Sequence, residues 1–243
     1  MRFEDYRTTH IGPDSWAKDY DTRLFSPGSF DAAIWEREQR LIDDVLEKHV
    51  IRRESCLDFA CGTGRVLAHI ERHFKTAVGL DISDTMLAAA RRRVNTATLV
   101  HGDATTNPAV LEGRRFDFIT AFRFFLNAQP SLRDEAMAFL ASALRDGDSR
   151  LLFNAHGNRY STRALLAAKA KLTREQFSSM SVRECFDLAE RHGLEVVEWF
   201  GIGSYDKSLL RVMPFGVWRW AERVAPLPKR FAVYLYFVCR RRD

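Results

Sequence analysis

The sequence predicts an α/β protein in which a mostly parallel sheet carries helices on both faces. Two observations support this fold class. Short apolar runs of strand length alternate with helix-length segments between residues 54 and 155. The first of these runs leads into a glycine-containing loop and then a helix, which is the order of a strand–turn–helix unit in a parallel sheet. With 243 residues, the chain is long enough for one domain with a substantial core.

The boundaries of the elements follow from periodicity and from turn residues. Ile34, Leu41 and Val45 repeat at helical spacing, which predicts a helix over residues 30–49. Gly193 is a suitable C-terminal cap for a helix that ends near residue 192. We predict strands at 54–60, 75–81, 97–101, 116–122, 149–155, 195–200 and 231–239, and further helices at 64–73, 84–93, 131–145, 161–171 and 182–192.

The first strand and its loop carry the most informative residues of the chain. Asp58 lies inside an apolar run that ends in the loop Ala60-Cys61-Gly62-Thr63-Gly64. Glycines allow the backbone to pass close to a ligand. Asp81 ends the next apolar run, where a carboxylate can accept hydrogen bonds from ribose hydroxyls. This arrangement predicts a site for a cofactor that contains adenosine.

Two features distinguish the candidate cofactors. A dinucleotide-binding fingerprint needs a third small residue where this chain has Leu67. A carboxylate at Asp58 that pointed at the site would repel a pyrophosphate but would suit a cationic amino group. S-adenosylmethionine carries an ammonium and a sulfonium and no phosphate, so the electrostatics favour it over NAD.

The loop resembles motif I of the class I S-adenosylmethionine-dependent methyltransferases, commonly written D/E-x-x-x-G-x-G. Three further blocks follow in the order and spacing of that family, at residues 78–83, 101–104 and 116–122. The resemblance implies a Rossmann-like class I methyltransferase fold. Such a fold has a seven-stranded, mostly parallel sheet in the order 3-2-1-4-5-7-6, with the last strand antiparallel and helices on both faces.

The resemblance also implies roles for individual residues around S-adenosylmethionine. Backbone groups of the loop would face its methionine part, Asp81 would bind the ribose, and Asp103 would accept the adenine amino group. From the N-terminal segment, Tyr20 or Arg23 would reach the cofactor carboxylate, or else serve in packing. The expected cofactor-binding residues are Tyr20, Arg23, Asp58, Ala60, Cys61, Gly62, Gly64, Asp81, Ile82, Asp103, Ala104 and Phe122.

His156 is the candidate catalytic residue. It follows the fifth predicted strand, at the mouth of the crevice where ligands bind in such sheets. It would accept a proton from a substrate hydroxyl near neutral pH, or else act as a loop histidine bonded to Asn154 or the backbone. Arg123 would bind a substrate carboxylate or phosphate, or pair with Asp117 or an acid of helix 131–145. No group of side chains has metal-ligand spacing, so we expect no metal.

Composition and charge indicate the class of protein and its cellular compartment, but not the reaction that it catalyses. The hydrophobic fraction of 46% and the charged fraction of 28% are typical of a soluble globular chain. The four cysteines form no C-x-x-C pair, and the N-terminus lacks the order of a signal peptide, so we expect a cytoplasmic protein without a transmembrane segment. The net charge is +5, and the basic residues occur in scattered clusters, which is typical of a solvated protein surface.

We expect a single methyltransferase domain over residues 1–243, either a monomer or a homodimer. It would comprise an N-terminal helical cap at 1–50, a cofactor-binding core at 51–200 and an insert at 201–230. Residues 209–230 are apolar, aromatic and basic at once. They would form a lid over the substrate, a peripheral membrane contact, or a helical pair packed on the sheet edge or in a dimer. Prolines at 214, 226 and 228 weaken the membrane interpretation.

The sequence favours methyl transfer to a hydroxyl, slightly ahead of an amine, of a small-molecule, saccharide or lipid-type acceptor. The Asn/Asp-Pro-Pro-Tyr tetrad typical of nucleobase-nitrogen methylation is missing after the fourth strand, and we do not expect a nucleic-acid partner. Two alternatives stay open. One is an RNA methyltransferase, motivated by the basic charge, and the other is a scaffold that binds S-adenosylmethionine without turnover.

Overall fold

A seven-stranded sheet in the order β3-β2-β1-β4-β5-β7-β6 organises the chain. The computed structural model describes residues 7, 25, 26, 28–164, 179–211 and 213–242. The first five strands pair in parallel, and β7 is antiparallel to both of its neighbours. The predicted strand order is therefore confirmed. The strands are β1 (Ser55–Phe59), β2 (Thr76–Asp81), β3 (Thr98–His101), β4 (Phe118–Ala121), β5 (Arg150–Ala155), β6 (Leu194–Ile202) and β7 (Tyr234–Arg241).

Helices cover both faces of the sheet, as predicted. One face packs on α1 and α2, and the other packs on α4 and α5. The α1 helix begins at Ser29, whose side chain caps the amide of Ala32, and its apolar stripe is fully buried. The helices are α1 (Phe30–His49), α2 (Arg65–Ile70), α3 (Asp84–Ala90), α4 (Pro130–Ala143), α5 (Val182–Arg191) and α6 (Phe215–Val224).

One glycine lets α2 pack closely on the sheet. A Cβ on Gly79 would lie 2.5 Å from Leu67 Cδ2 and 3.0 Å from Cys61 Sγ, so no larger residue fits there. The loop at residues 60–64 joins β1 directly to α2. The close packing of α2 at Gly79 therefore also determines how far this loop lies from the sheet.

The carboxyl ends of β1, β2, β4 and β5 meet at one edge of the sheet, called here the carboxyl edge. The C-terminus of β6 and the N-terminus of β7 lie at the same edge, because Ala155 pairs with Leu235 and Ile202 pairs with Tyr234. The segment between β6 and β7 therefore stands beside any ligand bound at the carboxyl edge.

That segment begins later than predicted, since β6 extends through Ile202. It contains a short 3₁₀ helix at Lys207–Arg211 and then α6. Trp218 anchors α6 to the body of the protein: its ring lies 5.0 Å from that of Phe30, and its indole N–H donates to the carbonyl of Tyr205 at 3.1 Å. The insert is thus held against α1.

Part of the predicted architecture falls on residues that are not described. Residues 162–164 are helical, and residues 165–171 of the predicted helix 161–171 lie outside the described residues, as do Tyr20 and Arg23. Among the helices described, none is both long and apolar enough to cross a membrane.

Candidate active site

The loop between β1 and α2 bends over the end of β2 and bonds to its last residue. The amide of Gly62 donates to Asp81 Oδ2 at 2.7 Å, and the amide of Ser83 donates to Oδ1 at 2.9 Å. Gly62 and Gly64 have φ angles of 54° and 74°, in the left-handed region that favours glycine. The two glycines and the acid that the sequence singled out therefore form one structural unit.

Asp81 keeps unused acceptor capacity at the mouth of the crevice. Burial raises the pKa of its carboxyl, against the effect of the amides of Ser83 and Gly62, which stabilise the charged form. The backbone amides of Gly62, Ser83 and Ile82 stabilise the carboxylate, which can accept about four hydrogen bonds in all. A Cβ added to Gly62 would meet nothing within 4 Å, so the loop faces open space. These residues fit the ribose and methionine ends of S-adenosylmethionine.

Asp58 lies one layer beneath this loop. Its Oδ2 accepts the amide of Leu67 at 3.1 Å, and its Oδ1 accepts the hydroxyl of Thr120 at 2.7 Å. Burial raises the pKa of this carboxyl to about 7, although Thr120, Arg65 and the Leu67 amide oppose the shift. The described contacts thus join Asp58 to the start of α2 and to β4. A direct contact between Asp58 and a cofactor ammonium stays a prediction.

Asp103 forms an ion pair with Arg7, a partner that the sequence did not reveal. Arg7 Nε donates to Asp103 Oδ2 at 2.7 Å, and Arg7 Nη2 donates to Thr105 at 2.7 Å and to Glu135 at 2.6 Å. Burial opposes ionisation of Asp103, but hydrogen bonds from Thr105 and Arg7 outweigh it and lower the pKa. Arg7 therefore joins the N-terminal segment to the adenine side of the predicted cofactor site.

The other predicted cofactor residues lie along the same edge. Ala60 has a φ of 53°, which is unusual for a residue other than glycine. The Cys61 amide donates to the carbonyl of Leu80 at 3.0 Å, and burial raises the pKa of its thiol. Ile82 is half-buried, and Ala104 is buried in the core beneath α4. Phe122 is also buried, with its ring 5.6 Å from that of Tyr236.

His156 follows β5, as predicted, and its Nδ1 is shielded from solvent and has no hydrogen-bond partner in the part of the chain that the structure describes. Burial, together with the charges of Arg123, Arg163 and Lys207, holds the pKa of this imidazole well below its usual range. The ring is therefore neutral at physiological pH and has a nitrogen able to accept a proton. The expected alternative bond to Asn154 is not made: the Asn154 Nδ2 is also buried without a partner.

Arg123 is held in a rare backbone conformation beside His156. Its φ is 60°, and its amide donates to Asn154 Oδ1 at 2.6 Å. A left-handed conformation costs a non-glycine residue roughly 1–2 kcal/mol, and such strain concentrates at functional sites. The guanidinium lies 3.4 Å from Asp31 Oδ1. The expected pairing with Asp117 is wrong, because Asp117 precedes β4 and binds Arg52 and Arg145 at the opposite edge of the sheet.

A buried acid on α1 interacts with Arg65 and with the charge of Arg123. Glu38 is fully buried and accepts hydrogen bonds from Tyr236 Oη at 2.7 Å and from Arg65 Nη1 at 2.9 Å. Burial would raise the pKa of Glu38, but the charges of Arg65 and Arg123 outweigh that effect, and the pKa is lowered. One signal in the sequence points to it: Glu38 lies four residues from both Ile34 and Ile42, on the apolar face of a helix.

Arg65 is enclosed by aromatic rings as well as by Glu38. Its guanidinium carbon lies 4.0 Å from the ring centre of Trp35 and 4.5 Å from that of Phe25. Arginine side chains stack favourably on aromatic faces. Because Arg65 directly follows Gly64, these rings fix the start of α2 next to the cofactor loop. Within the described residues, no group of three or more His, Cys, Asp or Glu side chains is arranged to hold a metal.

The comparisons with known proteins agree with this geometry. Residues 56–147 match the family model described as a methyltransferase domain. Over 116 residues the chain is 37% identical to dTDP-3-amino-3,6-dideoxy-alpha-D-glucopyranose N,N-dimethyltransferase of Streptomyces fradiae, covering 46% of this chain and 44% of that protein. Over 62 residues it is 42% identical to dTDP-3-amino-3,4,6-trideoxy-alpha-D-glucopyranose N,N-dimethyltransferase of Streptomyces venezuelae, covering 26% of each. The matches span less than half the length of these curated relatives.

Solved structures extend the likeness of the fold to nearly the whole chain. An S-adenosylmethionine-dependent methyltransferase from Clostridium acetobutylicum superposes with a TM-score of 0.63 at 12% identity, covering 95% of this chain and 99% of that one. Magnesium protoporphyrin IX methyltransferase from Synechocystis, with bound SAH, superposes with a TM-score of 0.64 at 13% identity, covering 94% and 95%.

The fold, the loop geometry and the family model together identify the class. Residues 56–147 match a methyltransferase domain, and the strand order and the loop around them are those of the class I S-adenosylmethionine-dependent type. The cofactor of that class is S-adenosylmethionine, in agreement with the cofactor inferred from the sequence.

Proposed function

We propose that this chain methylates the amine of a small, anionic, saccharide-type acceptor, using S-adenosylmethionine. The observation that carries the proposal is that the predicted cofactor site and the candidate base lie at the same edge of the sheet. The cradle of Gly62 and Asp81 and the neutral imidazole of His156 stand on the carboxyl edge of one sheet. A methyl donor and a proton acceptor held on one edge are the two requirements for such a transfer.

The cofactor would be held mainly by polar groups at the ends of β1 to β3. Asp81 would accept hydrogen bonds from the ribose hydroxyls, and the backbone of Ala60 to Gly62 would face the methionine part. Asp103, oriented by Arg7, would face the adenine. When bound, S-adenosylmethionine supplies an electrophilic methyl group on a sulfonium. The protein then has to align the acceptor nitrogen and to remove its proton.

The charges around His156 favour an anionic acceptor. Arg123, Arg163 and Lys207 are close enough to lower the pKa of the ring, and Asp31 lies 3.4 Å from Arg123 and 3.9 Å from Lys207. An acceptor that carried a phosphate or diphosphate would be stabilised there. Both Streptomyces relatives are named for acceptors that are dTDP-linked amino sugars.

His156 supplies the proton-accepting step. Transfer of the methyl group to the acceptor nitrogen, with S-adenosylhomocysteine as the leaving product, would make that nitrogen positively charged. The excess proton on nitrogen would pass to the neutral imidazole of His156. Buried surroundings that disfavour a charged imidazole would return this proton to solvent readily.

A matched pair of acceptors tests the proposal. We would incubate the protein with deuterated-methyl S-adenosylmethionine and either dTDP-3-amino-3,6-dideoxyglucose or its 3-hydroxy counterpart, and detect products by mass spectrometry. Methyl transfer to the amine alone supports the proposal. Transfer to the hydroxyl compound alone identifies the second candidate, O-methylation, which the neutral His156 also favours. Cofactor binding without transfer to either compound contradicts the proposed acceptor class.

A substitution of Arg123 distinguishes an effect on acceptor binding from an effect on cofactor binding. Arg123→Gln is expected to raise the KM for the nucleotide sugar at least tenfold, since it removes one charge-assisted contact of about 1.5–3 kcal/mol. The affinity for S-adenosylmethionine should stay unchanged. Arg183→Gln is the matched control, because Arg183 is exposed on α5 and pairs only with Asp187 among the contacts described.

A further inference from the structure

The outward side of α6 combines apolar and basic residues and is called here the insert face. It consists of Val217, Trp220 and Val224, which are 46%, 64% and 56% exposed, together with the exposed Arg219 and Arg223. The three apolar residues are spaced i, i+3 and i+7, so they lie along one side of the helix. Exposed apolar side chains collected on one helix face mark a contact surface.

The opposite side of α6 explains why these residues cannot turn inward. Trp218 and Glu222 occupy the inner side, both buried. Glu222 accepts Arg37 Nη1 at 2.6 Å and the amide of Tyr205 at 2.8 Å. A helix bonded in this way has a fixed rotation, and Trp220 is therefore held pointing away from the protein.

The exposed charge next to the insert face is of one sign. Residues 213–231 contain four cations, Arg219, Arg223, Lys229 and Arg230, and a single acid, Glu222. That acid is buried and paired, whereas the four cations are exposed. A surface that joins a tryptophan and two valines to uncompensated cations complements an anionic lipid bilayer, whose boundary is apolar below and negatively charged above.

The prolines of this segment frame the helix and leave its interior intact. Pro214 is the N-cap of α6, and Pro226 follows its last residue by two positions. Proline is well tolerated at both of these positions, so the ten residues of α6 form an uninterrupted amphipathic helix. The objection that the sequence raised against a membrane contact is thereby removed.

We propose that the insert face docks on an anionic lipid surface. Trp220, Val217 and Val224 enter the boundary between headgroups and acyl chains, and Arg219 and Arg223 pair with lipid phosphates. Because the insert stands at the carboxyl edge, the docked protein holds its crevice beside the membrane. This inference does not depend on which acceptor is methylated.

Vesicle sedimentation tests the inference with the full chain. We expect the protein to bind vesicles of phosphatidylcholine mixed with phosphatidylglycerol, and to bind vesicles of phosphatidylcholine alone far more weakly. Trp220→Ser should lower the partition coefficient at least tenfold. Arg219→Gln and Arg223→Gln together should lower it by about fivefold for each charge removed, and added salt should have a similar effect.

Two matched variants serve as controls. Ile51→Ser removes an apolar side chain that is 80% exposed elsewhere, and Arg183→Gln removes an exposed charge on α5. Both should bind vesicles like the wild type. Far-UV circular dichroism verifies that all variants are folded, and the arginine pair tests the same face independently of Trp220.

Two results would overturn the inference. The first is equal binding of the wild type to both vesicle types, or an equal loss in the control variants. The second is a concentration-dependent dimer, seen by sedimentation velocity, that Trp220→Ser dissociates while no vesicle binding occurs. That outcome would assign the insert face to a second copy of the chain.

Discussion

Glu38 accepts a hydrogen bond of 2.7 Å from the hydroxyl of Tyr236, although 198 residues separate the two along the chain. The second oxygen of the carboxylate accepts Arg65 at 2.9 Å. One buried anion therefore joins α1, α2 and β7 at the carboxyl edge. The first and last of these elements close around the crevice through this contact.

Glu38→Gln should destabilise the fold by about 3 kcal/mol or more, because it leaves the largely buried Arg65 without its counter-charge. Tyr236→Phe removes one hydrogen bond to the same group and should cost about 1–3 kcal/mol. Urea unfolding measures both. Glu36→Gln is the control, since Glu36 lies on the exposed side of the same helix. Equal stability of the Glu36 and Glu38 variants would contradict this account.

Asp58 should make stability depend on pH. Its pKa rises from an ordinary value to about 7 in the folded protein, so the folded state holds this proton more tightly than the unfolded chain does. The stabilisation from Asp58 is present at low pH and is lost as the pH rises through about 7, with a slope of at most about 1.4 kcal/mol per pH unit.

The isosteric variant tests that sign. Asp58→Asn cannot ionise, so its stability relative to the wild type should increase as the pH is raised from about 5 to about 8. Urea unfolding at several pH values measures the difference. A difference that is independent of pH would mean that Asp58 has an ordinary pKa in the folded state.

Asp81→Ala should weaken binding of S-adenosylmethionine and S-adenosylhomocysteine by about 10- to 100-fold, since hydrogen bonds to a charged group contribute about 1.5–3 kcal/mol each. The same variant also frees the Gly62 amide, which loosens the loop. Calorimetric titration measures the affinities. Asp84→Ala, which changes an exposed acid three residues away, should bind like the wild type, and equal losses in both variants would exclude a specific role for Asp81.

The lowered pKa of His156 should shift the acidic side of the pH–activity profile to lower pH. Since burial and then the neighbouring cations lower its pKa well below the usual range, the proton-accepting form persists in acid. The kcat/KM of the wild type should therefore not fall with a midpoint near 6.5. His156→Gln should lower kcat by about 10²–10⁴-fold, the usual range for a general base, with the affinity for S-adenosylmethionine unchanged. A midpoint at the ordinary imidazole pKa would contradict the buried geometry.

The contact between Gly62 and Asp81 was predictable because its parts are local. Asp58, Gly62 and Asp81 lie on consecutive elements of one strand–loop–helix–strand unit, and parallel pairing of β1 and β2 brings their carboxyl ends together. The order of all seven strands followed from the family resemblance.

The remaining contacts around the site connect residues that are distant in the chain, and no local pattern encodes them. Glu38 meets Tyr236 across most of the chain, and Arg7 meets Asp103 from a segment without clear periodicity. The expected pairing of Arg123 with Asp117 failed for a geometric reason. A four-residue strand separates them, and each residue of a strand adds about 3.3 Å, so they stand at opposite edges of the sheet.

The position of β7 has a consequence for how the protein is made. β7 is synthesised after β6 but lies between β5 and β6, so β6 cannot join the sheet until residues 234–241 have been added. Throughout that interval β5 has an open edge and β6 has no neighbour. Unpaired edges of this kind invite association with other chains. A pause in translation before β7 would thus expose the nascent chain to aggregation, while rapid synthesis of this last strand would close both edges in a single step.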